Sequence, residues 1–162
     1  MSKIKILIAL SLVMIGLLSF TNQTTSNNYK CMLQMNAYDG EGAYIILSLI
    51  NPDDEYEKTL YVMGKDEDWY SDISGWWNYY GKKRYELDGI TGATLSGGKT
   101  GISIIEIEDS KIDSGYKIRF ETAVEDMEYY KKDIEFELTT ESLKSKTNGG
   151  GYINYVRMIP AL

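Results

Sequence analysis

Alternating apolar and polar residues mark most of the chain after residue 29. From 116 to 124 every second residue is apolar or a threonine, and the residues between them are mainly charged. The segment 134–138 alternates in the same way. A period of two is typical of a strand that has one face in the core and the other in solvent. The pattern therefore predicts two half-buried strands, with Lys117, Arg119 and Glu121 on a solvent-facing side.

Five further apolar segments complete the strand pattern, at 33–37, 44–50, 60–62, 102–107 and 153–159. Turn-forming residues rich in Gly, Asn, Asp and Pro separate them. The apolar phase changes once, at Ile104-Ile105, which predicts a bulge or a strand buried on both faces. Cys31 is expected to be a small buried residue of the first strand. About seven short strands favour a mainly β fold, an antiparallel immunoglobulin-like β-sandwich.

One segment departs from this pattern and contains all three tryptophans. Between Trp69 and Tyr80, aromatic or apolar residues recur at the spacing of a helix face, and Gly81 stands where such a helix would end. The pattern predicts one short aromatic helix. Its side chains either plug the edge or end of the sandwich, or provide in Trp76 and Trp77 a wall for a planar ligand.

The first 28 residues differ from the rest of the chain. Two lysines precede an uncharged apolar run from Ile6 to Phe20, and a polar stretch follows up to Asn28. This order is typical of a secretory signal, and the run is short for a membrane span, which needs about 20 residues. Because no small-x-small cleavage site follows the run, an uncleaved N-terminal membrane anchor is the alternative. We expect 29–162 to form a single β-sandwich domain, exported to the periplasm or to the outer face of the cytoplasmic membrane.

Composition excludes several kinds of chemistry. The 162 residues contain no histidine and one cysteine. Histidine-dependent triads, histidine-ligated metals and internal disulfides are therefore excluded. The formal net charge of −7 argues against nucleic acid as a partner.

The glycine-rich loop 88–98 carries the most specific pattern. Its Thr94 follows Gly92 and Ala93, whose small size lets another macromolecule approach the threonine hydroxyl. Since no histidine can activate this hydroxyl, an outside enzyme would have to supply the base and the metal. The segment Asp-Gly-Ile-Thr-Gly-Ala-Thr (88–94) resembles the flavinylation motif Asp-x-x-[Ser/Thr]-Gly-Ala-[Ser/Thr]. A periplasmic flavin transferase uses that motif to link FMN, taken from FAD, to the final hydroxyl through a phosphoester.

This resemblance implies a role for each matching residue. Thr94 would carry the covalent FMN, and the recognition positions would be Asp88, Thr91, Gly92 and Ala93. If FMN is attached, its ring is expected to stack on an aromatic side chain of the helix, namely Trp76, Trp77, Tyr79 or Tyr80.

The wider chain is similar to an exported family of unknown function whose members are described as predicted periplasmic proteins. The similarity rests on segments 69–77, 88–98 and 155–160. Such proteins are commonly found beside PepSY-type membrane proteins and flavin transferases. The resemblance implies an exported redox carrier, without catalytic residues of its own, that exchanges electrons with a membrane redox protein of PepSY type.

Two other functions also fit the sequence. The domain could be a cofactor-free exported binding or scaffold module, in which Thr94 only turns or caps its loop. A hydrolase with paired carboxylates, such as Asp66 and Asp88, is the third candidate.

Overall fold

The computed structural model describes residues 25–83 and 87–161, with residues 82, 83 and 88 described by their backbone alone. The predicted signal or anchor therefore falls largely outside the described residues. The strands are β1 Ser26–Met35, β2 Tyr44–Ile50, β3 Tyr56–Met63, β4 Thr91–Gly92, β5 Thr100–Glu108, β6 Lys117–Ala123, β7 Tyr129–Glu137, β8 Lys146–Asn148 and β9 Ile153–Pro160. One α-helix, α1, spans Ser74–Lys83, and short 3₁₀ turns include Glu67–Asp72 and Asp88–Ile90.

The strands form two sheets. One has the order β5-β1-β9-β8 and the other the order β4-β3-β2-β6-β7. Every pairing is antiparallel except that of β3 with β4. The prediction of a mainly β, antiparallel sandwich with one short helix is confirmed. The described residues form nine strands rather than about seven, because β4 and β8 are too short to show an alternation in sequence.

The main core lies between the two sheets. Strand β1 contributes Cys31 and Leu33, which are 1% and 0% exposed, and β6 contributes Ile118 and Phe120 from the opposite sheet. The prediction that Cys31 is a buried residue of the first strand is thus confirmed. Burial raises the pKa of its thiol to about 12, so Cys31 is not a reactive thiolate at neutral pH.

A second hydrophobic cluster covers the other face of the five-stranded sheet. Helix α1 packs there through Trp76 and Tyr80, against Ile46 and Val62 of the sheet. The predicted helix is present, but it begins at Ser74 after a separate 3₁₀ turn. The expectation that Gly81 ends it is wrong, because the helix continues to Lys83. Gly81 instead allows close packing, since a Cβ there would lie 3.3 Å from the ring of Trp77. Among the described residues, no helix is long and apolar enough to cross a membrane.

Two strand predictions need correction. Arg119 and Glu121 of β6 are 2% and 0% exposed, because the second cluster covers the face that was expected to meet solvent. In β5 there is no bulge, since its register with β1 is uninterrupted along the strand. Ile105 points into the core, whereas Ile102 and Ile104 are 58% and 50% exposed on the opposite face. The apparent phase change therefore reflects isoleucines on both faces of a regular strand.

Candidate functional site: the Thr94 loop

The loop that contains Thr94 is fixed at both ends by backbone pairing. On one side β4 pairs with β3, and the amide of Gly64 donates to the carbonyl of Gly92 at 2.8 Å. On the other side Leu95 and Ala43 exchange two hydrogen bonds of 2.9 and 3.1 Å. Between these two anchors Ala93 and Thr94 are exposed. The fold thus presents a two-residue exposed segment whose ends are held against the five-stranded sheet.

The Thr94 side chain lies against the backbone of Gly42. A Cβ at position 42 would lie 2.4 Å from Thr94 Oγ1 and 2.7 Å from Thr94 Cβ. Thr94 therefore occupies the space that any side chain at position 42 would need. Within the described residues, the Thr94 hydroxyl has no hydrogen-bond partner in the protein. It is an exposed hydroxyl whose position depends on a glycine 52 residues earlier in the chain.

The remaining motif residues lie on the strand and turn that precede Thr94. Gly92 packs against Tyr61, whose hydroxyl would lie 2.8 Å from a Cβ at position 92. Thr91 is half-buried in β4 and pairs with Val62. Asp88 begins the 3₁₀ turn Asp88–Ile90, but its side chain is outside the described part of the structure. The turn and β4 thus bring the motif backbone together along the edge of one sheet.

The tryptophans belong to the second cluster rather than to an open surface. Trp76 is 0% exposed, stacks on Tyr80 with ring centroids 4.7 Å apart, and contacts Tyr70 edge-on at 5.2 Å. Its indole N–H donates to the hydroxyl of Thr59 at 2.8 Å. Trp76 therefore leaves no free ring face in this arrangement. The aromatic side chains of the helix are packed, as one interpretation predicts, but they cover the outer face of the five-stranded sheet rather than the edge or end of the sandwich. Trp77 is half-buried and retains some exposed surface.

The motif turn reaches the same cluster through Ile90, which packs against its buried residues. The structure thereby brings the start of the motif and the aromatic helix into one packed unit. Thr94 itself lies beyond β4, beside Gly42. The motif therefore begins against the second cluster and ends in the exposed segment of the loop.

A buried polar network beneath helix α1 was missed by the sequence analysis. The Glu121 carboxylate accepts hydrogen bonds from the hydroxyls of Tyr56, at 2.6 Å, and Tyr129. The Tyr129 hydroxyl in turn accepts from the amide of Gly75 at 3.0 Å, which ties the network to the first turn of α1. Burial raises the pKa of the Glu121 carboxyl above its ordinary value, against the lowering effect of these hydrogen bonds. No periodic pattern marks these residues, because they meet only in three dimensions.

Arg119 extends this network toward solvent. Its guanidinium donates to Glu135 at 2.5 Å and lies 3.4 Å from a carboxylate oxygen of Asp54. It also lies over the ring of Tyr56, 5.2 Å from the centroid. The buried cation is thus paired, as burial of a charge requires. Asp54 is exposed and serves as one of these partners.

Comparison with known proteins identifies the family. Residues 26–155 match the family described as "Predicted periplasmic protein (DUF2271)". No curated protein and no solved structure matches the chain. The match includes both the Thr94 loop and the aromatic helix, and the family description supports an exported protein. The chain therefore belongs to the DUF2271 family of predicted periplasmic proteins.

Proposed function

We propose that the protein is an exported flavoprotein that carries FMN on Thr94 and exchanges electrons with a membrane redox protein of PepSY type. The observation that carries the proposal is the exposed Thr94 hydroxyl, which lacks a partner among the described residues and stands between two fixed ends of its loop. The flavinylation motif assigns its attachment point to this same hydroxyl.

The surroundings of Thr94 differ from those of a threonine with a structural role. Thr139 of the same protein illustrates such a role, because its hydroxyl accepts a hydrogen bond of 3.0 Å from the amide of Ser142. The Thr94 hydroxyl caps no amide in this way. A hydroxyl that is not used by its own fold is available to a modifying enzyme, and the small residues Gly92 and Ala93 leave room for that enzyme to approach.

In this proposal the attached flavin, rather than a side chain of the protein, carries out the electron transfer. In forming the phosphoester, Thr94 Oγ1 loses its proton and bonds to the FMN phosphorus of FAD, and AMP leaves. The bound flavin supplies reversible one- or two-electron transfer. The chain's own residues would hold the ring, limit its contact with water and set the charge around it. The transferase would supply the base and metal for the attachment, because this chain contains no histidine.

A second candidate function has its own observation. Three large apolar side chains of the four-stranded sheet are substantially exposed, namely Ile102, Ile104 and Ile159. Exposed apolar patches of this kind mark contact surfaces. A cofactor-free exported binding or scaffold module would use them, and the burial of Trp76 would then have a purely structural purpose.

Co-expression with an active periplasmic flavin transferase tests the first proposal. The exported wild-type protein should gain the mass of one FMN less water and keep its yellow colour after denaturation. Thr94→Ser should retain the modification, since it keeps the hydroxyl, and Thr94→Ala should lose it. Thr100→Ala serves as the matched control, because Thr100 is also exposed and lies only six residues further along the chain. An unmodified wild type, in cells where a known substrate of the transferase is modified, would contradict the proposal.

A further inference from the structure

A cleft of about 450 Å³ lies beside the motif turn. It opens where strands β1 and β5 of one sheet approach strand β3 and the turn Asp88–Ile90 of the other. Leu60, Ile90 and Ile104 provide its apolar surface. Gly89 lines it as well, and nothing lies within 4 Å of the place where a Cβ of Gly89 would be. One side of the cleft is therefore formed by the flavinylation motif itself.

The polar residues of the cleft offer both donors and acceptors. Asn28, Lys58 and Glu106 are exposed, and Thr59, which also lines the cleft, is buried. Asn28 and Glu106 are cross-strand partners on β1 and β5, so they lie side by side on one sheet. Among the described residues neither Lys58 nor Glu106 has an ion-pair partner. Their charges are thus available to a ligand.

We propose that this cleft receives the isoalloxazine ring of the FMN that is attached to Thr94, which rests on the proposed function above. The ring has an apolar dimethylbenzene end and a polar edge with both carbonyl acceptors and an N–H donor. A cleft that combines three aliphatic walls with an amide, an ammonium and a carboxylate matches this division. Trp76, by contrast, is fully buried and contributes no surface to the cleft.

The distance along the chain is compatible with this placement. Thr94 follows Ile90 by four residues, which is at most about 14 Å of extended backbone. The ribityl phosphate arm contains about eight single bonds and extends to about 9 Å on the same bond geometry. Together with the length of the ring, the arm spans the separation between Thr94 and a cleft lined by Ile90.

Lys58 would give this cleft a specific effect on the flavin. Reduction of the ring can leave it with a negative charge, and a cation in the same cleft stabilises that form. Lys58 should therefore make the reduction potential of the bound flavin less negative. The chain's overall negative charge should shift the reduction potential in the opposite direction. Reversing the charge of Lys58 alone therefore separates the local effect from the overall one.

The experiment uses the full-length exported protein, flavinylated by co-expression and checked by intact mass. Ile104→Glu removes one apolar wall, and Ile102→Glu is the matched control, because it lies on the same exposed face of β5 outside the cleft. The fluorescence anisotropy of the attached flavin should fall in Ile104→Glu, and its quenching by iodide should rise several-fold. Both quantities should stay at the wild-type level in Ile102→Glu. Equal values in both variants and in the wild type would overturn the proposal.

A second pair of variants tests the charge. Lys58→Glu should shift the reduction potential to a more negative value, whereas Lys144→Glu, an exposed lysine outside the cleft, should leave it unchanged. Equal shifts in both would show that only the overall charge matters and would count against the cleft.

Failure of the proposed function would be seen separately, as the absence of any added mass. Binding of the ring in the cleft is then tested by titrating riboflavin into the unmodified protein. Shifts of the amide resonances of Gly89 and Ile104 would support ring binding there, and their absence would overturn it.

Discussion

Replacing Gly42 by alanine should displace the Thr94 hydroxyl while leaving the sandwich folded. The new Cβ would lie 2.4 Å from Thr94 Oγ1, whereas ordinary contacts begin at 3.4 Å, so the hydroxyl has to retreat by about 1 Å. The new Cβ would also lie 2.7 Å from Thr94 Cβ, which no rotation of the side chain relieves, so the exposed loop backbone has to shift as well. We therefore expect a loss of about 2 kcal/mol in unfolding free energy, the middle of the range for overpacking. That loss lowers the melting temperature by about 8 °C for a domain of this size.

The effect on flavinylation should be much larger than the effect on stability. A displacement of about 1 Å at a reacting atom can reduce a rate about 100-fold. The assay follows the gain of FMN mass with time, with purified transferase and FAD, under conditions in which Gly42→Ala remains folded. Gly98→Ala is the matched control, since it adds a methyl group to the same loop outside the motif and the cleft and meets no atom within 4 Å.

Two results would refute this reasoning. Flavinylation of Gly42→Ala at the wild-type rate would show that the contact with Gly42 does not position the hydroxyl. Equal slowing of Gly42→Ala and Gly98→Ala would show that the transferase responds to any added methyl group in this region rather than to the location of the Thr94 hydroxyl.

Three further predictions concern the framework around the site. Asp133→Ala should lower the unfolding free energy, measured in urea, by about 3 kcal/mol, because the buried carboxylate accepts hydrogen bonds from three backbone amides that would lose their partner. Asp133→Asn should lower the unfolding free energy by less. Burial raises the pKa of Glu121, so the folded state holds this proton more tightly and stability should fall as pH rises from the ordinary carboxyl pKa through the raised one. The same slope in Glu121→Gln would contradict this. Gly64→Ala should reduce the yield of folded protein, since φ is +127° and a Cβ would lie 2.1 Å from the Tyr44 ring, whereas Gly98→Ala, at φ +70° in open space, should cost only about 1 kcal/mol.

The strand pattern could be predicted from the sequence because a half-buried strand repeats every two residues. All seven predicted strands are present, and the alternation of 116–124 correctly assigns Ile118 and Phe120 to the main core. The same alternation could not show that Arg119 and Glu121 are buried as well. Gly75 of α1 lies against Glu121, and Tyr56 and Asp54 contact Arg119. All three come more than forty positions earlier in the chain. A local pattern reports which residues share a face, and it does not report what packs on that face.

Part of the candidate site, too, could be predicted from the sequence, and part could not. The sequence by itself singled out Thr94 and its motif, because that signature is local and contiguous, and it also marked the apolar and aromatic segments that build the sandwich and its helix. The tertiary structure alone decided that Thr94 rests on Gly42, that Trp76 is buried, and that a cleft opens between Ile90 and Ile104. Each of these depends on contacts between segments far apart in sequence. Such contacts follow from how the two sheets and the helix pack together, which no local pattern of residues encodes.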